Sequence, residues 1–400
     1  MKFSFQLLSS SALSLFFVTL ISLITAYVLG PVEFGFFSAC QAITVIVMPL
    51  VCFRLETRVA VCKTDKELSE LSIAVKTGII IFLSISSLVV MALSFFINLN
   101  LGLMIVFLAG GIVLVDFELS RFSFLQMHTN LAIHRFFRQV LPASMALIVS
   151  FFVPQHQFLI GALLVGTWSY VFLLSYRKNN KQLWSFTIFK KIFISHFSEL
   201  KASFSLGVLN SIWLNGLQPL MVWMGLHQLA GQFALLQKII NAPLAVITVA
   251  VNSYLLEKGN LAHTQIKLVM KAFYSLILIS TAWIFCLWVF FYGEFHFNLP
   301  KDWIPNQEIF ISASFFWASS FAVGAISLIS IRLKDEWFMA CWQLILILIW
   351  MVALFLFDPQ KIFTFLLIMG GLAYIFLMWR WTWLIKSKDQ KIKVINKNFF

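Results

Sequence analysis

The chain has 400 residues, of which 61% are hydrophobic, 16% aromatic and only 11% charged. A soluble domain carries about 25% charged residues and a disordered chain is poor in hydrophobic residues, so the composition excludes both classes and indicates a membrane protein. The 29 Lys and Arg against 16 Asp and Glu give a formal net charge of +13, which raises the question of where the positive residues lie.

Long apolar runs alternate with polar breaks along the whole chain. Because a membrane helix needs about 20 apolar residues, we predict an all-α polytopic membrane protein with about twelve transmembrane helices. The predicted spans are 8–29, 35–53, 77–97, 101–119, 138–153, 157–176, 203–225, 232–254, 272–293, 308–331, 337–357 and 361–384. The first run is too long for a signal peptide and has no small-residue cleavage site, so we expect it to remain as a span.

Lys and Arg residues are concentrated in every second break between the predicted spans. The basic segments are 54–76, 121–138, 177–201, 258–271, 332–334 and the tail after Arg380. The intervening breaks contain only Lys301 and Lys361. Because positively charged loops remain in the cytoplasm, both termini are predicted to be cytoplasmic. The same asymmetry accounts for the net charge without a nucleic-acid partner.

Two lobes are predicted, at 1–200 and 201–400, and the second ends in a basic cytoplasmic tail. The linker at about 178–201 is basic and aromatic, which suits either an amphipathic helix on the cytoplasmic surface or a plain loop. The pattern Gly-x-Phe-[Ser/Ala]-x-x-Gln occurs at 35–41 and at 231–237. Six predicted spans separate the copies, so a duplication would give two six-helix bundles in the same orientation. Chance similarity is the alternative.

Polar side chains inside the predicted spans indicate a possible cavity, because such groups cost free energy in lipid unless they face a partner or water. Spans seven and eight carry them at steps of three or four residues, with Ala245 filling one gap in span eight, so that they share one helical face. The candidate substrate-binding residues are Gln41, Arg54, Arg58, Ser211, Asn215, Gln218, Lys238, Asn241, Thr248 and Asn252.

Two charged residues of the predicted spans leave alternatives open. Lys238 lies roughly 10 Å inside span eight at 1.5 Å per residue. It either extends outward to the interface or faces an aqueous cavity, where it would attract an anion such as a phosphate. Asp116 lies near the end of span four with Glu118 and Arg121. That group is either a helix-end ion pair or, at Asp116, a proton or cation site for ion coupling.

Catalytic and metal-binding motifs are missing from the sequence. It contains no His-Glu-x-x-His, no Gly-x-Ser-x-Gly and no phosphate-binding glycine loop. The five cysteines include no Cys-x-x-Cys pair. We therefore expect neither an enzyme nor a metal or cofactor site.

A family resemblance is carried mainly by residues 29–56. Residues 29–37 read Leu-Gly-Pro-Val-Glu-Phe-Gly-Phe-Phe, and 54–56 read Arg-Leu-Glu, followed by Ala-Val at 60–61. They resemble the Leu-Gly-Pro-Glu-Glu-Phe-Gly-x-Phe and Leu-Arg-Tyr-Glu…Ala-Ile motifs of the Wzx-like O-antigen and capsule polysaccharide flippases of the MOP exporter superfamily. Residues 205–243 resemble the region around spans seven and eight of that family, which usually has arginine where this chain has Lys238. At 300–303, proline replaces the glycine of the family's Gly-x-x-Trp stretch.

The resemblance implies two six-helix bundles in a V shape, a central cavity and alternating access. It implies transport of undecaprenyl-diphosphate-linked oligosaccharide from the cytoplasmic to the periplasmic leaflet of the bacterial inner membrane. The implied partners are this lipid-linked oligosaccharide, membrane lipids, a polysaccharide polymerase and a chain-length regulator. In related exporters transport is coupled to an ion gradient. The alternatives are a drug or cation antiporter of the same superfamily, and a membrane polysaccharide polymerase or ligase.

Overall fold

The computed structural model describes residues 2–62, 64–94, 98–125, 127–176, 184–257, 264–293, 301–324, 336–356 and 359–398. Within these ranges the chain forms thirteen α-helices and contains no β-strand. It divides into two compact units, Met1–Ala234 and Leu235–Phe400. The predicted division into lobes at residue 200 stays a prediction.

Eight helices lie wholly in the first unit. They are α1 (Lys2–Val47), α2 (Asp65–Ala92), α3 (Leu99–Phe124), α4 (His128–Phe152), α5 (His156–Tyr176), α6 (Phe186–Ser195), α7 (Phe197–Asn215) and α8 (Leu217–Trp223). Two short 3-10 helices, Met48–Leu50 and Leu55–Val61, connect α1 to α2. Helix α9 (His227–Glu257) begins in the first unit and continues into the second.

The second unit contains the remaining four helices. They are α10 (Thr264–Tyr292), α11 (Gln307–Gly324), α12 (Glu336–Leu356) and α13 (Pro359–Asn398). Helix α13 packs against α10, α11 and α12. Phe310, Phe316, Phe363 and Trp381 are fully buried in this unit, together with many aliphatic side chains.

Every predicted span overlaps a helix, and several helices are long and apolar enough to cross a membrane. The segments that meet this description are Ala12–Leu50, Asp65–Ala92, Leu99–Phe124, His156–Leu174, Phe273–Tyr292, Trp337–Leu354 and Lys361–Leu384. They indicate a polytopic membrane protein. The number of twelve spans and the cytoplasmic position of the termini remain predictions.

The first two predicted spans form one helical stretch that is interrupted at Gly30. Its backbone has φ 73 and ψ 166, which is not helical. A positive φ is readily accessible to glycine, and Pro31 disfavours the α conformation in the residue before it. The sequence Gly-Pro therefore separates the segment up to residue 29 from the segment that starts at Pro31.

Helix α6 confirms the helical alternative for part of the linker. Ser185 caps it, with its hydroxyl accepting from the Ile188 N–H at 3.4 Å, and the Ser185 N–H donates to the Thr77 hydroxyl of α2 at 2.9 Å. Ile192 is buried in the core cluster that contains the buried face of α2, while Phe186 and Ile194 are exposed. Helix α6 therefore packs on the bundle with one face, and some apolar side chains outside that face remain exposed.

Predicted span seven is divided into α7 and α8 at Gly216. Pro219 has no N–H to donate to the carbonyl of Asn215, four residues earlier, and its ring would crowd that carbonyl. Trp213, just before the break, is 1% exposed. The sequence therefore places a break beside two of the predicted polar residues, Asn215 and Gln218.

Candidate functional site

A polar cavity of about 620 Å³ lies in the first unit between α3, α4 and the second 3-10 helix. Four charged side chains line it, two acidic and two basic, together with hydroxyl groups. The charged lining residues are Glu56, Asp116, Arg135 and Arg138. Charged groups in a predominantly apolar helical protein are costly and mark functional sites, so this cavity is the main candidate site.

The central contact of the cavity is an ion pair between Arg138 of α4 and Asp116 of α3. The Asp116 side chain is 25% exposed and that of Arg138 32%. The neighbouring Glu118 pairs instead with Arg121 of its own helix, at 3.5 Å. The helix-end ion pair expected from the sequence therefore involves Glu118, whereas Asp116 reaches across to another helix.

Arg135 and Arg138 lie on one face of α4, because residues three apart are neighbours on a helix. Within the part of the chain that the structure describes, Arg135 makes no ion pair. Burial, and then the charge of Arg138, lowers the pKa of the Arg135 guanidinium. The face presents two positive charges to the cavity, of which one is matched by Asp116.

A second cavity of about 300 Å³ adjoins this face and is more apolar. Arg138 lines both cavities. The predicted residue Gln41 also lines the second cavity, with Thr44, Gln139 and Tyr170. Arg138 is therefore positioned to reach groups in either space.

Arg54 directly precedes the 3-10 helix that borders the first cavity, and Arg58 lies in this helix. Arg54 forms an ion pair with Glu56, at 3.6 Å, and its guanidinium lies against α7, since a Cβ atom at Gly207 would be 3.2 Å from Nη1. Arg58 is hydrogen-bonded to Nδ1 of His196 at 3.0 Å and lines a separate cavity of about 360 Å³ beside α2 and α6. Of the cavities of about 620, 300 and 360 Å³, Arg58 therefore lines the third and Arg54 lines none.

Phe53 and Arg54 have a strained backbone, with φ of 53 and 66 respectively. Residues other than glycine rarely adopt positive φ, and a bulky residue does so only when its surroundings demand it. The Phe53 ring packs on Phe193 and Phe204, with centroids 5.3 and 5.4 Å away. These contacts hold the turn that directs Arg54 towards α7.

The polar residues predicted in span seven include a side chain hydrogen-bonded inside its own helix and a buried one. The Asn215 amide donates to the Ser211 backbone carbonyl at 3.1 Å, and Gln218 is buried at 6% exposure. None of these three residues lines the cavities of about 620, 300 and 360 Å³. Their role as cavity-lining residues stays a prediction.

The predicted residues of span eight lie on α9, in the second unit. Lys238 and Asn241 are partly buried. The side chains of Thr248 and Asn252 lie outside the described part of the structure. The contribution of this polar face to a cavity stays a prediction.

Sequence reasoning misses Arg135 and Arg138 as site residues. Arg135 falls in a predicted basic break and Arg138 at its boundary with the predicted fifth span, whereas α4 starts at His128. The signal that could identify them is their spacing of three residues directly before an apolar run. The pairing of Arg138 with Asp116 is a contact between helices, which no local spacing reveals.

A second polar cluster joins α1, α5 and the start of α9. Glu33 accepts hydrogen bonds from the backbone N–H of His156 at 3.0 Å and from its Nδ1 at 2.9 Å. The ring of Phe36 is stacked on that of His156 and on that of His227, with centroids 4.9 and 4.4 Å apart. Glu33 thereby satisfies a free donor at the first turn of α5.

Two glycines form a close backbone contact beside this cluster. A Cβ atom at Gly231 would overlap the Pro31 carbonyl oxygen and lie 2.7 Å from its carbonyl carbon. A Cβ atom at Gly35 would overlap the His227 carbonyl oxygen and lie 2.9 Å from the Gly231 nitrogen. The glycines that open the two copies of the repeated pattern therefore meet in the structure.

Comparison of the chain with protein-family models, with curated proteins and with solved structures finds no match. The resemblance of residues 29–56 to polysaccharide flippases therefore supports a proposal only.

Proposed function

We propose that the protein is a flippase for lipid-linked oligosaccharides, which moves undecaprenyl-diphosphate-linked O-antigen or capsule repeat units across the bacterial inner membrane by alternating access. The finer architecture belongs to the same proposal: twelve spans in two six-helix bundles, with both termini in the cytoplasm. The proposed partners are the lipid-linked oligosaccharide, membrane lipids, a polymerase and a chain-length regulator.

The observation that carries the proposal is the arginine-lined cavity among long apolar helices. A lipid-linked glycan carries a polyprenyl chain, a diphosphate and a sugar chain, and each part needs a different environment. The apolar helices suit contact with the lipid chain. Arginine provides charge-assisted and bidentate hydrogen bonds to phosphate oxygens, and Arg135 and Arg138 both line the cavity.

The sequence resemblance supports the same function independently of the cavity. It includes Glu33 and Gly35, which have structural roles as the partner of His156 and the contact of α9. The candidate substrate-binding residues on α9, with Lys238 first among them, remain part of the proposal. The charge of Lys238 would suit a diphosphate in the same way as the arginines.

Transport in reconstituted vesicles tests the proposal directly. The purified protein is incorporated into phospholipid vesicles that contain a fluorescent polyprenyl-diphosphate-linked trisaccharide, and a lectin outside reports how much of the glycan is accessible. We expect the protein to move the glycan between leaflets faster than protein-free vesicles allow. Arg138→Ala and Lys238→Ala should slow this movement, because each removes a cation that offsets the desolvation of the diphosphate.

Lys191→Ala is the matched control, because Lys191 is an exposed cation paired with Glu70 at the surface of α6. Its loss should leave transport unchanged. The flippase proposal would be rejected if the glycan moved no faster than in protein-free vesicles. Movement of a cationic dye against a proton gradient in the same vesicles would instead favour the antiporter.

A further inference from the structure

We propose that Arg135 and Arg138 form a binding site for a phosphate or diphosphate group, and that Asp116 is an internal counter-ion which the ligand displaces from Arg138. This inference rests on the proposed function for the identity of the ligand. It adds a specific site, on α4, and a competition that regulates access to it.

The first argument is the charge balance on the cavity wall. Arg135 and Arg138 are three residues apart on α4, a spacing at which like charges repel each other. Of the two acidic residues in the cavity wall, Glu56 pairs with Arg54 and Asp116 pairs with Arg138. Arg135 has no ion pair in the described ranges. The Asp116 carboxylate therefore balances the charge of one arginine only. A phosphate group carries enough negative charge and enough oxygen atoms to pair with both.

The second argument is access to the ion pair. Arg138 remains 32% exposed and Asp116 25% exposed within a cavity of about 620 Å³. Pockets of this size hold small organic ligands. Hydroxyl groups of Thr57, Ser120 and Ser123 line the same space, and could bond to phosphate oxygens that the guanidinium groups leave free.

The third argument concerns the cost of exchanging partners. An arginine that lost its counter-ion in a low-dielectric site would be left as an uncompensated charge. If an anionic ligand replaces Asp116, Arg138 keeps a negatively charged partner throughout. The groups that act electrostatically on Asp116 besides Arg138 are Glu56 and Arg54, with opposite signs, so the released carboxylate retains a nearby cation.

Binding of inorganic pyrophosphate to the full-length protein in detergent, measured by titration calorimetry, tests this site. We expect Asp116→Asn to bind pyrophosphate about tenfold more tightly than the wild type, because an internal competitor reduces the fraction of protein in the competent state. Arg135→Gln and Arg138→Gln should each weaken binding by about tenfold or more, because each removes charge-assisted hydrogen bonds. Glu118→Gln is the matched control and should not change it, since Glu118 pairs with Arg121.

Each outcome has a defined meaning. Wild-type affinity in both arginine variants would overturn the site. Unchanged or weaker binding by Asp116→Asn, with both arginine variants impaired, would overturn the displacement. Arg135→Gln leaves the Asp116–Arg138 ion pair intact, so it remains informative if a variant of that pair fails to fold.

Farnesyl diphosphate as a further probe distinguishes a lipid headgroup from a soluble ligand. Farnesyl diphosphate bound clearly more tightly than pyrophosphate would assign the site to a lipid-linked diphosphate. Equal affinity would assign it to a soluble one, and inorganic phosphate measures the contribution of a single phosphate. Binding can be measured without transport. If the protein binds pyrophosphate as expected but moves no glycan, the proposed function is refuted and the proposed binding site remains supported.

Discussion

Replacing Gly231 with alanine should destabilise the first unit, because α1 and α9 approach each other too closely at this position to admit a methyl group. The new Cβ atom would overlap the Pro31 carbonyl oxygen and lie 2.7 Å from its carbonyl carbon. Because carbon atoms are in favourable contact at about 3.5–4.0 Å, the two backbones would have to separate by roughly 1 Å. Both partners are backbone atoms, so no side chain can rotate to relieve the overlap.

We expect this separation to cost about 1–3 kcal/mol, the usual range for overpacking a tight contact. In a unit of this size, each kcal/mol lowers the melting temperature by about 2–4 °C. The melting temperature of the purified protein in detergent is the measurement. Gly35→Ala should show a loss of the same kind, because its Cβ atom would overlap the His227 carbonyl oxygen.

The matched control is Gly161→Ala in α5. A Cβ atom there would have only ordinary contacts, 3.8 and 3.9 Å from the terminal atoms of Met104. Alanine is also favoured over glycine inside a helix by up to about 1 kcal/mol in water. This variant should therefore melt at or above the wild-type temperature. Equal melting temperatures for the Gly231 and Gly161 variants would refute the close contact between α1 and α9.

Two further predictions concern Glu33 and Arg54. Glu33→Ala should lower the free energy of unfolding by about 1 kcal/mol, as does the loss of other helix-capping groups, because it removes both hydrogen bonds to His156. The control Glu70→Ala breaks an exposed ion pair with Lys191 and should lower it less. The reverse order of melting temperatures would contradict the capping role. Arg54→Gly should be more stable than Arg54→Ala by about 1–2 kcal/mol, since only glycine adopts positive φ at no steric cost. An alanine variant as stable as the glycine variant would show that residue 54 does not keep its φ of 66.

The helices can largely be predicted from the sequence, because each apolar run is long enough to exclude a strand and is bounded by polar or charged residues. A predicted span is shorter than the helix that contains it where charge occurs inside the helix. Residues 128–137 contain Arg135 and fall in a predicted break between spans, and they form the first turns of α4. In the sequence Arg135 indicates only topology, since its position on the cavity wall depends on packing against α3.

The candidate site is less predictable than the fold for the same physical reason. Spacing along a helix identifies which residues share a face, and it does not identify what that face contacts. Asn215 lies on a predicted polar face but donates to the carbonyl of Ser211 in its own helix. Asp116 is one of two acidic residues near a helix end, and only the position of α4 makes it, rather than Glu118, the partner of Arg138.

The contact between the two glycines also bears on the origin of the repeated pattern. Gly35 meets the carbonyl oxygen of His227, four residues before Gly231, and Gly231 meets that of Pro31, four residues before Gly35. Reciprocal contact of this kind is the property of a two-fold related interface, in which the contact of i with j is matched by that of j with i. Chance similarity in a biased composition would explain the matching residues, but it gives no reason for matched positions in space. The reciprocity therefore favours a duplication of this helix start over chance similarity.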